Sequence, residues 1–351
     1  MMKPIQSCAV FGLAKNVGKT TVLNAMAKQA EMEGVTLGLL SVGVDGEKRD
    51  VWSLREKPPI HVPTDGWVAT AASLLEPNAG KWEWVEETGI HSPLGPVVIA
   101  RARTRATVKL AGVNRSRGVA EVLQRMEQLG ILLALVDGAY DRKAAGDPWL
   151  TDTAVAVAGA ALGPSLDAVV ERVAEWWSIA ALPAVTSPLL QQAGKNARDR
   201  GRLAGVRGGE VVSLPFSSLL MQQSQWQQTL DKPEWTALAL PGALTESALA
   251  LLLGRGSPLD LILSDPTRCF VSRRSLRRWF RMGGKLLYLR PLRLRAWGIN
   301  PVSPDGYTLD SHRLQERIAK IVHPVPIVDV KQEGWPFSLL PREGKNNAMD
   351  G

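Results

Sequence analysis

The chain alternates short, wholly apolar runs with longer stretches whose apolar residues recur every three or four positions. Residues 7–12 (SCAVFG) are a short apolar run ending on glycine. Residues 19–34 follow, with Val22, Met26 and Ala30 four apart, which predicts a helix with one buried face; Gly34 is placed to stop it. Residues 37–43 (LGLLSVG) read as a second buried strand. Residues 97–103 and 106–111 are β-rich and predict a hairpin turning through Thr104 and Arg105. Residues 117–129 put Val119, Val122, Leu123 and Met126 on one helical face, and residues 131–136 form an apolar strand that closes on Asp137. Residues 154–158 repeat that pattern before Gly159, with a helix over 165–177. Strands separated by helix-length segments imply βαβ units and a mostly parallel sheet.

The pattern then changes. Residues 191–235 are polar and glycine-rich, and read as a helix-poor connector with one small strand near 210–214. A second α/β series follows: a strand over 237–243, a helix over 245–253, and a strand over 259–263 that leads to Asp265. Ser272 reads as an N-cap, since Leu276 and Phe280 then lie one turn apart, and Gly283 ends that helix. A strand over 285–289, a helix over 310–321 and a strand over 326–330 complete the series. The expected organisation is a first domain over 1–190, the connector 191–235, a smaller α/β domain over 236–335 and a flexible tail over 336–351 with nothing to bury.

Composition narrows the class. With 351 residues, 45% hydrophobic and 22% charged, the chain is no disordered segment, collagen-like fibre or disulfide scaffold. Cys8 and Cys269 lie in separate halves and form no metal-ligand spacing with the four histidines, so a reducing, cytoplasmic setting is expected. No apolar run approaches the ~20 residues that span a bilayer, and the N-terminal stretch lacks a signal-peptide pattern, so no membrane association is expected.

The net charge of +8 is concentrated in one place. Between Asp265 and Arg295 lie nine arginines and Lys285 against a single aspartate. Within it, Arg273, Arg277 and Arg281, with Arg274 and Arg278, form i,i+4 series on one helix, beside Trp279. The series reads as a solvated amphipathic face or as a docking surface for an acidic protein. Nucleic acid is not an expected partner.

The most specific chemistry lies at Gly12-Leu-Ala-Lys-Asn-Val-Gly18-Lys19-Thr20, between a strand and a helix, the context a phosphate-binding P-loop requires. Gly18 lets the backbone approach phosphates, and successive N–H groups at a helix start present partial positive charge to an anion. Lys19 can reach β- and γ-phosphates, and the Thr20 hydroxyl can ligate Mg²⁺. The nucleotide-binding set is therefore Gly12, Lys15, Asn16, Val17, Gly18, Lys19, Thr20 and Thr21. Asp137, at a strand end, is the candidate Walker-B residue that supports Mg²⁺. Asp45, after the second strand in VDGEKRD, is a candidate for the metal or the γ-phosphate, with Glu47 as its alternative. Lys19, Asp45 and Asp137 form the candidate catalytic set. The charged run Asp141-Arg142-Lys143 sits where a nucleotide-sensing loop would lie.

Five residues separate Gly12 from Gly18, one more than the strict motif has. That spacing resembles the loop of dethiobiotin synthetase and its relatives, the SIMIBI branch of P-loop proteins. Some members carry an extra lysine at the position of Ala14; here Lys15 is one residue later, and that lysine's role is not transferred to it. The blocks GLAKNVGKTTVLN, LGLLSVGVDGEKRD, LALVDGAYDRKAA, TDTAVAVAGAAL and INPVSPDGYTLD, in order over residues 5–330, resemble a narrower family. This is the ATP-binding subunit of the lysine 5,6-aminomutase reactivase. The resemblance implies an α/β P-loop NTPase of SIMIBI type with a mostly parallel, helix-flanked sheet and a second, smaller α/β domain. It also implies ATP and Mg²⁺ as cofactors. Its implied function is ATP-driven release of damaged cobalamin from adenosylcobalamin-dependent lysine 5,6-aminomutase, together with a MutS-like companion subunit. The basic helix has no counterpart in that pattern. Two other readings stay open: an ATP-dependent ligase like dethiobiotin synthetase, and a non-catalytic, nucleotide-switched binding module that uses the basic helix.

Overall fold

A computed structural model describes residues 4–42, 59–113, 116–138, 147–221, 223–230 and 234–340. The protein is mixed α/β, with a large, mostly parallel sheet flanked by helices. It divides into two compact units. One comprises residues 1–146, 150–170 and 294–351, and the other residues 147–149 and 171–293.

The first unit begins β1 (Gln6–Gly12), α1 (Lys19–Met32), β2 (Leu37–Val42), β3 (Ile60–Val62) and β4 (Trp67–Ala71). It continues β5 (Trp82–Ser92), β6 (Gly95–Ala102), β7 (Ala106–Val108), α2 (Ser116–Gln128), β8 (Leu133–Gly138) and β9 (Thr153–Gly159). Helix α3 (Leu166–Ala180) carries the chain into the second unit. That unit holds α4 (Pro188–Arg200), β10 (Ala204–Arg207), β11 (Glu210–Ser213), α5 (Gln223–Leu230) and β12 (Trp235–Ala239). It goes on through β13 (Leu244–Thr245), α6 (Glu246–Leu253), β14 (Asp260–Leu263), β15 (Cys269–Phe270), α7 (Arg273–Arg281) and β16 (Lys285–Tyr288). The chain then returns to the first unit with β17 (Leu294–Asn300), α8 (Ser311–Val322), β18 (Ile327–Val328) and α9 (Val330–Glu333).

Among the described residues, nine strands of the first unit form one sheet in the order β18-β17-β9-β1-β8-β2-β4-β6-β5. The run from β18 to β4 is parallel, and β6 and β5 add an antiparallel edge. The central strands are apolar on both faces, as strands covered by helices must be. Leu133 and Leu135 of β8, with Leu37 and Leu39 of β2, join the core beneath α1. Ala134 and Val136, with Leu40 and Val42, join the core of the opposite face with Val119, Val122 and Met126 of α2. In the second unit, strands run β11-β10-β12-β14-β16, with β12, β14 and β16 parallel.

Several expectations change. The hairpin foreseen between residues 97–103 and 106–111 does not form. Strand β6 pairs with β4 and β5, its own turn joins Ser92 to Gly95, and β7 pairs with β3. The helix-poor connector over 191–235 instead contains α4 and α5. Helix α4 buries Ala193, Gly194 and Ala197 rather than large apolar residues. A Cβ at Gly194 would lie 2.5 Å from Leu289 Cδ2, so small residues are what allow the helix to approach the sheet so closely. The division of the chain also differs from the expected 236–335 domain. Strand β17 pairs with β9, so residues from 294 onward complete the first unit's sheet. Nor is residue 336 the start of a tail. Leu339 is fully buried, and Arg295 donates from Nη1 to the Leu339 carbonyl at 2.6 Å and from Nη2 to that of Ser338 at 2.5 Å. Among the described residues, no helix is long and apolar enough to cross a membrane.

Candidate functional site

The site grows from the carboxyl ends of the parallel strands in the first unit, where α/β sheets place their ligands. Strand β1 ends at Gly12 and α1 starts at Lys19, so residues 13–18 make the connection. Leu13 and Val17 are buried and anchor the loop, and the Leu13 N–H donates to the Val157 carbonyl of β9 at 2.9 Å. Between them Lys15 and Asn16 are exposed at the crest, and Asn16 takes a left-handed φ of 59°. A Cβ on Gly12 would sit 2.4 Å from Val17 Cγ2 and 3.1 Å from the Ala14 carbonyl, so the tight fold of the loop excludes a side chain there. Gly18 caps α1 at φ 102°, a conformation that favours glycine.

This cap leaves the helix start open to an anion. Among the described residues no side chain caps α1, and no acidic residue lies in its first turn. Its first N–H groups and the positive end of its dipole are therefore available to negative charge. Thr20 and Thr21 are half-buried on that turn. Lys19 points across to the end of β8, where its Nζ donates to the Gly138 carbonyl at 2.5 Å and lies 3.6 Å from Asp137 Oδ1. Asp137 is in register with Val10 of β1 and Ser41 of β2. The structure thus brings together Gly12, Lys15, Asn16, Val17, Gly18, Lys19, Thr20, Thr21 and Asp137. Asp45, Glu47 and the run Asp141-Arg142-Lys143 lie outside the described residues.

Asn300, which the sequence reading did not place at this site, adjoins it. Asn300, at the end of β17, is the register partner of Gly159, and its Cβ would lie 3.1 Å from a Cβ on Gly18. Its carboxamide braces the turn that follows: Nδ2 donates to the Val302 carbonyl at 3.2 Å, and Oδ1 accepts from the Val302 N–H at 3.3 Å. The Tyr307 hydroxyl lies 2.8 Å from the Ala160 carbonyl and 3.0 Å from that of Gly163. The NPVSPDGY segment therefore starts beside Gly18 at Asn300 and is held to residues 160–163 at Tyr307. The signal was present as a strand, LRAWGIN, running into a proline.

The donor set suits a phosphate chain better than a metal alone. Among the described residues no cluster of three histidine, cysteine or acidic side chains could hold an ion. A divalent ion here would depend on the Thr20 hydroxyl, Asp137 and oxygens brought by a ligand. No protein-family model, curated protein or solved structure matches the chain.

Proposed function

We propose that this protein binds a nucleoside triphosphate with Mg²⁺ through residues 12–21 and hydrolyses it, as a P-loop NTPase of SIMIBI type. The observation that carries the reading is the left-handed Gly18 cap, which opens the first turn of α1 while Lys19 extends toward Asp137 at 3.6 Å. The residues fit the ligand. The N–H groups of the loop and first turn would hold the phosphates, and Lys19 would neutralise their outer oxygens. Thr20 and Asp137 would hold the metal, which supplies charge neutralisation on the phosphate oxygens. Asp45 is the proposed residue beside the γ-phosphate, with Glu47 its alternative.

The resemblance of the motif blocks supports ATP as the nucleotide and reactivation of adenosylcobalamin-dependent lysine 5,6-aminomutase as the work done. In that reading hydrolysis drives a change of shape, with a MutS-like companion subunit, rather than phosphate transfer to a metabolite. The test is ATP hydrolysis by the purified protein, alone and with the companion and inactivated aminomutase, wild type beside Lys19→Ala. Turnover that rises only with both proteins and is lost with Lys19 is the expected result. Turnover that ignores the aminomutase would remove the client, and Lys19→Ala turnover equal to wild type would remove the site.

A further inference from the structure

Helix α7 of the second unit has one face fixed and the other unspent. Ser272 caps it by accepting from the Ser275 N–H at 3.2 Å. Leu276 and Trp279 are buried in the core, and Trp279 Nε1 donates to the Lys285 carbonyl at 3.1 Å. The outward side carries Arg274, Arg277, Arg278 and Arg281, all exposed, with Arg273 half-buried beside them. Phe280, 38% exposed, lies among these arginines.

The arrangement is unfavourable to the helix itself. Arg273–Arg277, Arg277–Arg281 and Arg274–Arg278 are like-charge i,i+4 pairs, and Arg273 and Arg274 stand at the positive end of the helix dipole. The helix carries no acidic residue, and among the described residues none of these five arginines lies within ion-pair distance of a carboxylate. Nearby, the α6 residue Glu246 accepts from the backbone N–H of Ser272. An anionic partner would relieve the repulsion that the fold retains.

The kind of anion follows from size and composition. Nine residues of helix span about 14 Å, and outside residues 265–295 the chain is near neutral. A single-stranded nucleic-acid site would need a longer basic track with several exposed aromatic platforms for successive bases. Trp279 is buried, which leaves Phe280 as the one exposed ring on this helix. Arginine next to a partly exposed phenylalanine is instead the composition of a protein–protein hot spot, where guanidinium forks meet carboxylates bidentately.

We propose that the arginine face of α7, with Phe280, docks an acidic helix of a protein partner that presents carboxylates one turn apart and an apolar residue over Phe280. This does not depend on the nucleotide reading. The test uses the full chain and a fluorescently labelled helical peptide with glutamates at i,i+4 and leucines alongside, read by anisotropy. The comparison probes are single-stranded DNA, duplex DNA and phosphatidylserine vesicles. The peptide should bind, and Arg274→Gln with Arg278→Gln should weaken it about tenfold or more, since two charge-assisted forks are lost. Arg274→Lys with Arg278→Lys, which keeps the charge and the fold, should weaken it less, and Phe280→Ala by severalfold. Lys285→Gln, off the face, should leave it unchanged. The proposal is overturned if the peptide does not bind, if DNA or vesicles bind more tightly, or if the glutamine pair or Phe280→Ala has no effect.

Discussion

Lys19 and Asp137 allow the site to be tested before any client is identified. Their charged atoms are 3.6 Å apart, and the side chains are only 17% and 16% exposed. At an effective dielectric of about 20 the gross attraction is about 4–5 kcal/mol. Desolvation of both groups takes back most of it, leaving a coupling of about 1–3 kcal/mol. For a unit of roughly 200 residues each kcal/mol moves the midpoint by about 2–4 °C. Without ligand, Lys19→Met should therefore melt about 2–12 °C below wild type. Lys19→Met with Asp137→Asn should lose less than the sum of the two single changes. Mg-ATP at about a hundred times its Kd should stabilise the wild type by about 2.7 kcal/mol, and Lys19→Met should forfeit that gain. Differential scanning fluorimetry at fixed protein concentration reads all four variants. Single effects that add to within about 0.3–0.5 kcal/mol would refute the pairing. An undiminished Mg-ATP shift in Lys19→Met would refute the phosphate role.

Three further outcomes are expected. Gly18→Ala puts a side chain at φ 102° and 3.1 Å from Asn300, and should cost about 1–2 kcal/mol and weaken Mg-ATP binding by calorimetry; no change in either would refute the cap's role. Leu339→Ala, at a fully buried position, should lower the urea midpoint by the equivalent of about 2–5 kcal/mol, whereas a surface-like effect would detach residues 335–340 from the core. Burial pushes both thiols up, Cys269 to about 11, so both stay protonated well above neutral pH. Neither should react with iodoacetamide at about pH 8 until the chain is denatured, and labelling of the native protein seen by mass spectrometry would contradict this.

The central strands of the first unit were legible because they are uninterrupted apolar runs, whereas β3, only three residues long, and β5, mostly exposed, carry no such run and, like β4, went unread. The runs at residues 7–12, 37–43 and 131–136 became β1, β2 and β8, and the loop between β1 and α1 lies where the motif placed it. Helix α4 was hidden because it packs through alanine and glycine, which carry almost no periodic apolar signal. Strand β17 was hidden for a different reason. Its partner β9 lies far earlier in the chain, and local pattern says nothing about pairing across an inserted unit. That omission also concealed the place of Asn300 beside Gly18, brought there from the distant end of the sequence. The hairpin at residues 97–111 was misread because β propensity reports strand formation and not the choice of neighbour.

The placement of β17 bears on how the protein is made. On the ribosome, β1, β8 and β9 emerge early, but the strand that covers the outer edge of β9 follows roughly 130 residues later. At about 5–20 residues per second that is a delay on the order of ten seconds. Any early pairing of β1, β8 and β9 in that interval would leave the β9 edge without its β17 neighbour, an open parallel edge that could template pairing with another nascent chain. The second unit, residues 171–293, is synthesised within the same window.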